Sequence, residues 1–392
     1  MNLLRKTGLS DREVKIIKRV TSYSVTCCIA LVIGAWSIQQ YLAHKEKLRL
    51  ISDSGTAEDD YKKNEITELD LGAHRFMIER LLDQDQPENA IPHLHRILAF
   101  KRDRYLQSRL ADAYLEAGYY QKAYETYKEM VETGTEDSLT LIILARSGIS
   151  LFYIGKKEES KKILESCLTQ NPHMSEASCF LGQISATNLI DSSKALAYLQ
   201  DAVKWDSNYV EGWYQLARFS MSKGRYNDAR VELLKALEIN PLHVKSHSRL
   251  GMVYYYMGNN EQARKSYQTA LALNPHDFNT RYNLGELFYS SGSAMTEALS
   301  EFKTALQDNP GHVEANFKAG LICTNNGMTK EAIRFFEQAL NNDPKNVRIM
   351  LQMAVAFEKI GDRQRAMDTY NDVLAVDALN RAALQKIKLL SH

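Results

Sequence analysis

"SHSRLGMVYYYMGNNEQARKSYQTALALNP", residues 246–275, mixes small residues with aromatics in a fixed order and closes on a proline. The order returns downstream as "NFKAGLICTNNGMTKEAIRFFEQALNNDP", residues 316–344, and upstream as "WYQLARFSMSKGRYNDARVELLKALEINP", residues 213–241. Pro241, Pro275, Pro310 and Pro344 are separated by 34, 35 and 34 residues. A self-similar period of that size means stacked supersecondary units instead of one enclosed core.

A small residue marks the same place in each unit: Ala90, Ala123, Ser160, Ala195, Ala229, Ala263, Ala298, Ala332 and Ala366. Within 246–275 the residues divide between two helices. Leu250, Gly251 and Tyr254 share one face of the first, and Ala263, Tyr267, Ala270 and Leu271 share one face of the second. Gly251 and Ala263 are the bulk-free positions where the helices are expected to cross, with Tyr254 and Tyr267 on either side. Gly258 ends the first helix in the left-handed geometry glycine accepts cheaply, and Pro275 opens the next turn. A larger residue at 263 should cost roughly 1–3 kcal/mol through overpacking.

These residues resemble the tetratricopeptide repeat, a pair of antiparallel helices per unit. The next unit carries the pattern at Leu284, Gly285, Phe288, Gly292, Ala298, Phe302, Ala305, Leu306 and Pro310. The one after carries it at Gly320, Gly327, Ala332, Phe336, Ala339, Leu340 and Pro344. The resemblance implies an all-α solenoid over residues 73–378, with about nine helix pairs. The first pair is degenerate, with "DQDQP" in place of the turn glycine, and insertions fall at "TGTED" and near Asp191 and Ala294. Residues 379–392 read as a capping helix, with Ala383, Leu384, Ile387 and Leu390 on one stripe.

The front of the chain differs. No residue from Val20 to Ala43 is charged, and its middle, "CCIALVIGAW", is the most apolar part. About 20 such residues suit one bilayer crossing. Arg5, Lys6, Arg12, Lys15, Lys18 and Arg19 precede the run, and Lys45, Lys47 and Arg49 follow it. That bias favours a basic cytoplasmic N-terminus, 1–19, and a single-pass helix, 20–43. In a bacterium this would be the inner membrane, with the repeats in the periplasm; cytoplasmic-facing repeats are the alternative. A cleaved signal peptide and a buried soluble helix are the rival readings of the segment. Residues 44–72 read as a polar linker.

The totals exclude more than they assign. Lysines and arginines number 49 against 48 acids, a formal charge of +1, so nothing points to nucleic acid. Cys27, Cys28, Cys167, Cys179 and Cys323 form no CxxC pair, and no metal or other cofactor is expected. Phosphate-loop, dinucleotide, zinc-protease and hydrolase motifs are absent, and no catalytic residue is assigned. His93 and His95 point to different sides of a helix. His173, His276 and His312 follow the turns between units.

The resemblance instead implies a groove lined by the first helices. Its inward positions are Tyr214, Arg218, Met252, Tyr255, Tyr282, Glu286, Tyr289, Phe317 and Leu321. Tyrosine and arginine suit hot spots, being large, rigid and polar-tipped. The plain alternative is that the rings only pad neighbouring helices. The family's lysine–asparagine clamp for a peptide carboxyl terminus is missing: the matching positions read Ser248, Met252, Tyr282 and Glu286. The expectation is a membrane-anchored, non-enzymatic scaffold for protein partners, of the kind that organises envelope assembly, pilus, secretion or flagellar complexes. The alternative is an accessory or regulatory subunit of a polysaccharide, lipopolysaccharide or peptidoglycan synthesis system. A glycan partner would also stack on the tyrosines, so they do not separate the two.

Overall fold

The computed structural model describes residues 68–83, 87–101, 103–133, 138–187, 192–292 and 294–391. The basic N-terminus 1–19, the expected membrane helix 20–43, Cys27, Cys28 and most of the 44–72 linker lie outside the described residues. Most of "TGTED" and the insertion near Asp191 lie outside them too. Among the described residues no helix is long and apolar enough to cross a membrane.

The described residues form nineteen helices and no strand. Two compact units divide between Ile154 and Gly155. The first holds α1 (Glu68–Asp83), α2 (Pro87–Phe100), α3 (Arg104–Glu116), α4 (Tyr120–Thr133) and α5 (Ser138–Ile154). The second holds α6 (Lys157–Gln170), α7 (Ser175–Ala186), α8 (Ser192–Trp205), α9 (Val210–Ser222), α10 (Tyr226–Ile239), α11 (Val244–Tyr256) and α12 (Asn260–Leu273). It continues with α13 (Phe278–Ser291), α14 (Met295–Asp308), α15 (Val313–Asn325), α16 (Thr329–Asn342), α17 (Val347–Lys359), α18 (Arg363–Val376) and α19 (Arg381–Leu390). The expected pairs are found at α1/α2, α3/α4 and from α7/α8 to α17/α18. The remaining expected partners, α5 and α6, belong to different units.

Helix α1 starts at Glu68, inside the stretch read as linker. Its Ile78 and Leu81 are buried, and Leu71, Met77 and Leu82 pack on the same core. In α2, Pro87 sits at the first helical position, where its missing amide costs nothing. Pro92 lies inside the helix on an exposed face, where water can reach the carbonyl it leaves unpaired.

Four pairs close by setting a ring or branched side chain on a glycine. The Tyr267 ring of α12 lies on Gly251 of α11, where a β-carbon would stand 2.6 Å from two ring atoms. Phe302 sits on Gly285 and Phe336 on Gly320 in the same way, at 2.7 and 2.5 Å, and Leu199 takes this place against Gly182. This refines the expected crossing: Tyr267 fills the glycine's space directly and is buried, whereas Tyr254 is only half-buried. Ala263, Ala298 and Ala332 are fully buried on the facing helices.

The turns follow from local chemistry. Gly258 has φ 76° and Gly292 φ 71°, and open space surrounds the missing β-carbon at both. Their need for glycine is therefore one of backbone, not of room. Between units, Asn240 and Asn274 leave the helix in extended geometry, as residues before proline do. Their side-chain oxygens accept the amides of Leu242 and His276 at 3.0 and 3.2 Å. The recurring proline thus works with the asparagine in front of it.

At the C-terminal end, Ala383 is buried and Ile387 and Leu390 join the core, but Leu384 is 47% exposed. The stripe is narrower than expected because α19 packs chiefly on α18, with Lys386 reaching back to Glu358 of α17. Cys167, Cys179 and Cys323 are free and buried. Burial pushes the Cys167 and Cys323 thiols up to about 11.

Candidate functional site

In the second unit α7, α9, α11 and α13 lie side by side, and α15 lies beside α17. Lys318 of α15 pairs with Glu286 of α13 and joins the two sets. The expected groove residues all stand on these first helices, but they do not share one environment. Tyr214 and Phe317 are buried and belong to the core. Met252, Tyr255, Tyr282, Glu286, Tyr289 and Leu321 are half-buried, and Arg218 is exposed. Phe317 fails as a groove surface because the Arg348 guanidinium lies 4.1 Å from its ring centre and covers it. Tyr214 is roofed by Arg218, 6.0 Å from its ring centre, and meets His243 edge-on.

Two polar settings divide this face. Over α13, α15 and α17 the charges neutralise one another. Besides Glu286, Lys318 reaches Glu314 at 3.8 Å and lies 5.3 Å from the Tyr289 ring centre. Glu314 also takes Arg348 at 2.5 Å. Burial, then the Glu286 and Glu314 carboxylates, hold the Tyr282 hydroxyl well above the usual tyrosine range. His312 stands 4.9 Å from Tyr282, and burial holds its ring below the usual histidine range.

Over α9 and α11 the cations lack such partners. Arg218 donates to Gln215 at 2.8 Å, and Gln215 in turn donates to Glu211 at 2.5 Å. Arg249 reaches the Tyr214 hydroxyl at 3.5 Å and the Met252 sulfur at 3.3 Å. Both acceptors are weak.

Arg249, Lys318, Glu314 and Arg348 were not singled out from the sequence. A signal existed. Arg249 and Lys318 stand two residues before Gly251 and Gly320, and Glu314 and Arg348 six before Gly320 and Ala354. Aligning the units on their small residue would have exposed both columns.

The histidines outside the groove have specific partners. His93 meets His74 of α1 at 2.7 Å and His95 meets Tyr114 of α3 at 2.6 Å, so the two do point apart. His173 stacks on Trp205, and His276 meets Asp308 at 3.0 Å. His312 does more than follow a turn: its Nδ1 accepts the Ala315 amide and caps α15. Among the described residues no group of three or more His, Cys, Asp or Glu is placed to hold a metal ion.

Profiles of the tetratricopeptide repeat match residues 191–249 and 324–389, residues 251–292, and residues 295–347. The chain therefore carries tetratricopeptide repeats through this region. A 67-residue stretch is 34% identical to the peroxisomal targeting signal receptor of Eremothecium gossypii, covering 17% of this chain and 12% of that one. A 164-residue stretch is 21% identical to anaphase-promoting complex subunit 3 of Schizosaccharomyces pombe, covering 42% of this chain and 24% of the relative. The chain thus spans a minor part of these relatives' length. Among solved structures, the APC/C hetero-tetramer Cut9-Hcn1 superposes with a TM-score of 0.54 at 18% identity, over 79% of this chain and 60% of that one. That likeness is one of fold.

Proposed function

We propose that the tetratricopeptide repeats of this chain form a non-enzymatic scaffold that holds a protein partner on the first-helix face of the second unit. The observation that carries the reading is the row of half-buried Met252, Tyr255, Tyr282, Tyr289 and Leu321 on adjacent helices. Half-buried aromatics with polar tips are anchored by packing yet keep area to offer, which suits a binding hot spot. The named relatives, a targeting-signal receptor and a complex subunit, support protein binding as the use of such repeats.

In this proposal the scaffold is moored to a membrane by residues 20–43. The uncharged run and its basic N-terminal flank support that part. The flank charges favour repeats on the far side of the membrane, where partners would belong to envelope, pilus, secretion or flagellar assemblies.

Photo-crosslinking from positions 255 and 289 in native membranes, read by mass spectrometry, tests the groove. One partner captured from both positions, and weakened by Tyr255→Ala and Tyr289→Ala, is the expected result. Capture only from outward sites such as Val231, with none from 255 or 289, would overturn it. Complete extraction by a carbonate wash would remove the membrane anchor, and a reporter fused after His392 reads the topology.

A further inference from the structure

Cations on the first-helix face fall into two classes. Lys318 and Arg348 are each matched by a carboxylate, Glu286 or Glu314. Arg218 and Arg249 have only neutral described partners: an amide oxygen, a phenol oxygen and a thioether. Arg249 is half-buried, so its guanidinium has lost part of its water without gaining an anion. A partly desolvated cation left with weak acceptors carries a cost that an arriving carboxylate would remove.

The two guanidiniums also converge. Both lie against Tyr214, Arg218 over the ring and Arg249 at the hydroxyl. They come from neighbouring helices, α9 and α11, and Met252 and Tyr255 supply half-buried apolar area beside them. Of the nearby carboxylates, Glu286 is taken by Lys318 and Glu314 by Lys318 and Arg348, while Glu211, held by the neutral Gln215 amide, offsets one of the two arginines at most. A net positive charge is left at this place on the face.

We infer that Arg218 and Arg249 form an anion subsite of the groove, which takes two acidic side chains of an extended partner segment. Acids two residues apart on an extended strand lie about 7 Å from each other and point the same way. Such a pair of acids can address two cations that lie against one tyrosine, and the accompanying apolar contacts fall to Met252 and Tyr255. A polypeptide fits better than a compact anion because charge and apolar area are offered side by side. The inference rests on the groove reading above and narrows it to a partner of acidic character.

The test uses the full chain and fluorescein-labelled peptides of alternating Glu and Ser, followed by fluorescence anisotropy. Matching peptides with Gln or Lys in place of Glu serve as comparisons. The Glu peptide should bind, and Arg218→Gln and Arg249→Gln should each weaken it by about tenfold. Arg264→Gln, at an outward arginine already paired with Glu261, should leave it unchanged. Thermal melting by circular dichroism checks that each variant is folded. Equal binding of Glu and Gln peptides, or equal loss in Arg264→Gln, would overturn the subsite. So would a single-stranded oligonucleotide of the same charge competing with the same arginine dependence, which would mark a general polyanion surface. If a partner crosslinked at 255 and 289 survives the double arginine variant, the groove stands and the acidic subsite falls. If nothing crosslinks at 255 or 289, the groove itself falls.

Discussion

Asp112 of α3 and Arg146 of α5 stand 34 residues apart, one repeat period, and meet at 2.6 Å. The Tyr127 hydroxyl of α4 donates to the same carboxylate oxygen at 2.5 Å, so three successive helices meet at one acid. Glu314 and Arg348 repeat the spacing in the second unit, also 34 apart. At the C-terminal end Glu358 accepts from Tyr370 and, at 2.8 Å, from Lys386. In a stacked protein, stability comes from nearest-neighbour contacts, and within each compact unit these pairs tie one helix pair to the helix that follows it.

Arg146→Met should therefore loosen the first unit. Asp112 would stay largely buried, with only the tyrosine hydroxyl for a partner. Breaking a buried pair costs up to ~3–5 kcal/mol, and the partial exposure of Arg146 brings the expected loss to about 2 kcal/mol. Hydrogen exchange of α3 to α5, read by mass spectrometry, should rise there and stay unchanged in α15 to α18.

Gly320→Ala should destabilise α15/α16, although alanine is the better helix former by about 1 kcal/mol. Its β-carbon would stand 2.5 Å from Phe336 Cε1, and a ring held on both sides can yield only by shifting a helix. The expected net loss is roughly 1–3 kcal/mol in denaturant unfolding. Adding Phe336→Leu should recover part of it. Simple additivity of the two changes would refute the contact as the cause.

Gly258→Ala tests backbone alone. Nothing lies within 4 Å of the missing β-carbon, but φ is 76°. The loss should be about 1 kcal/mol, and Gly258→Asn should lose less, since asparagine tolerates left-handed geometry better. Equal losses for both would argue against the conformational explanation.

Burial should silence three thiols. Cys167 and Cys323 are pushed up to about 11, and burial raises Cys179 further. A thiol held protonated is a poor nucleophile. At pH 8 the folded chain should leave 167, 179 and 323 unmodified by iodoacetamide, with full labelling in denaturant. Peptide mapping keeps Cys27 and Cys28 apart from this measurement.

Alkaline pH should weaken the packing of the rings. Burial raises the Tyr267, Tyr282 and Tyr370 hydroxyls above the usual range, with Glu358 adding to the effect at Tyr370. A tyrosine raised by folding binds its proton more tightly in the folded state. Its stabilising contribution is thus complete below the unfolded value of ~10 and is lost as pH climbs towards the folded one. Unfolding midpoints should fall above pH ~10. Absorbance at the tyrosinate band should show late-titrating rings that Tyr267→Phe reduces. A flat stability profile across this range would contradict the shift.

The sequence by itself determined the helix pairs, their turns and their period. Gly258, Ala263, Tyr267 and Pro275 act through local geometry and through a face only one helix deep, and such constraints are written at fixed intervals along the chain. It also placed the expected groove residues on the first helices of their pairs. The tertiary structure decided which of the expected groove residues keep exposed area, because much of their cover comes from the neighbouring helix pair. Phe317 is shut off by Arg348 from α17, and Tyr214 is enclosed by Arg218, His243 and Arg249. It decided as well which charges cancel. Lys318 and Arg249 occupy the same place in their units, yet one meets a glutamate 32 residues earlier and the other meets Tyr214. Charge balance on a stacked face depends on side chains a full period apart, and a reading of one unit at a time does not contain it.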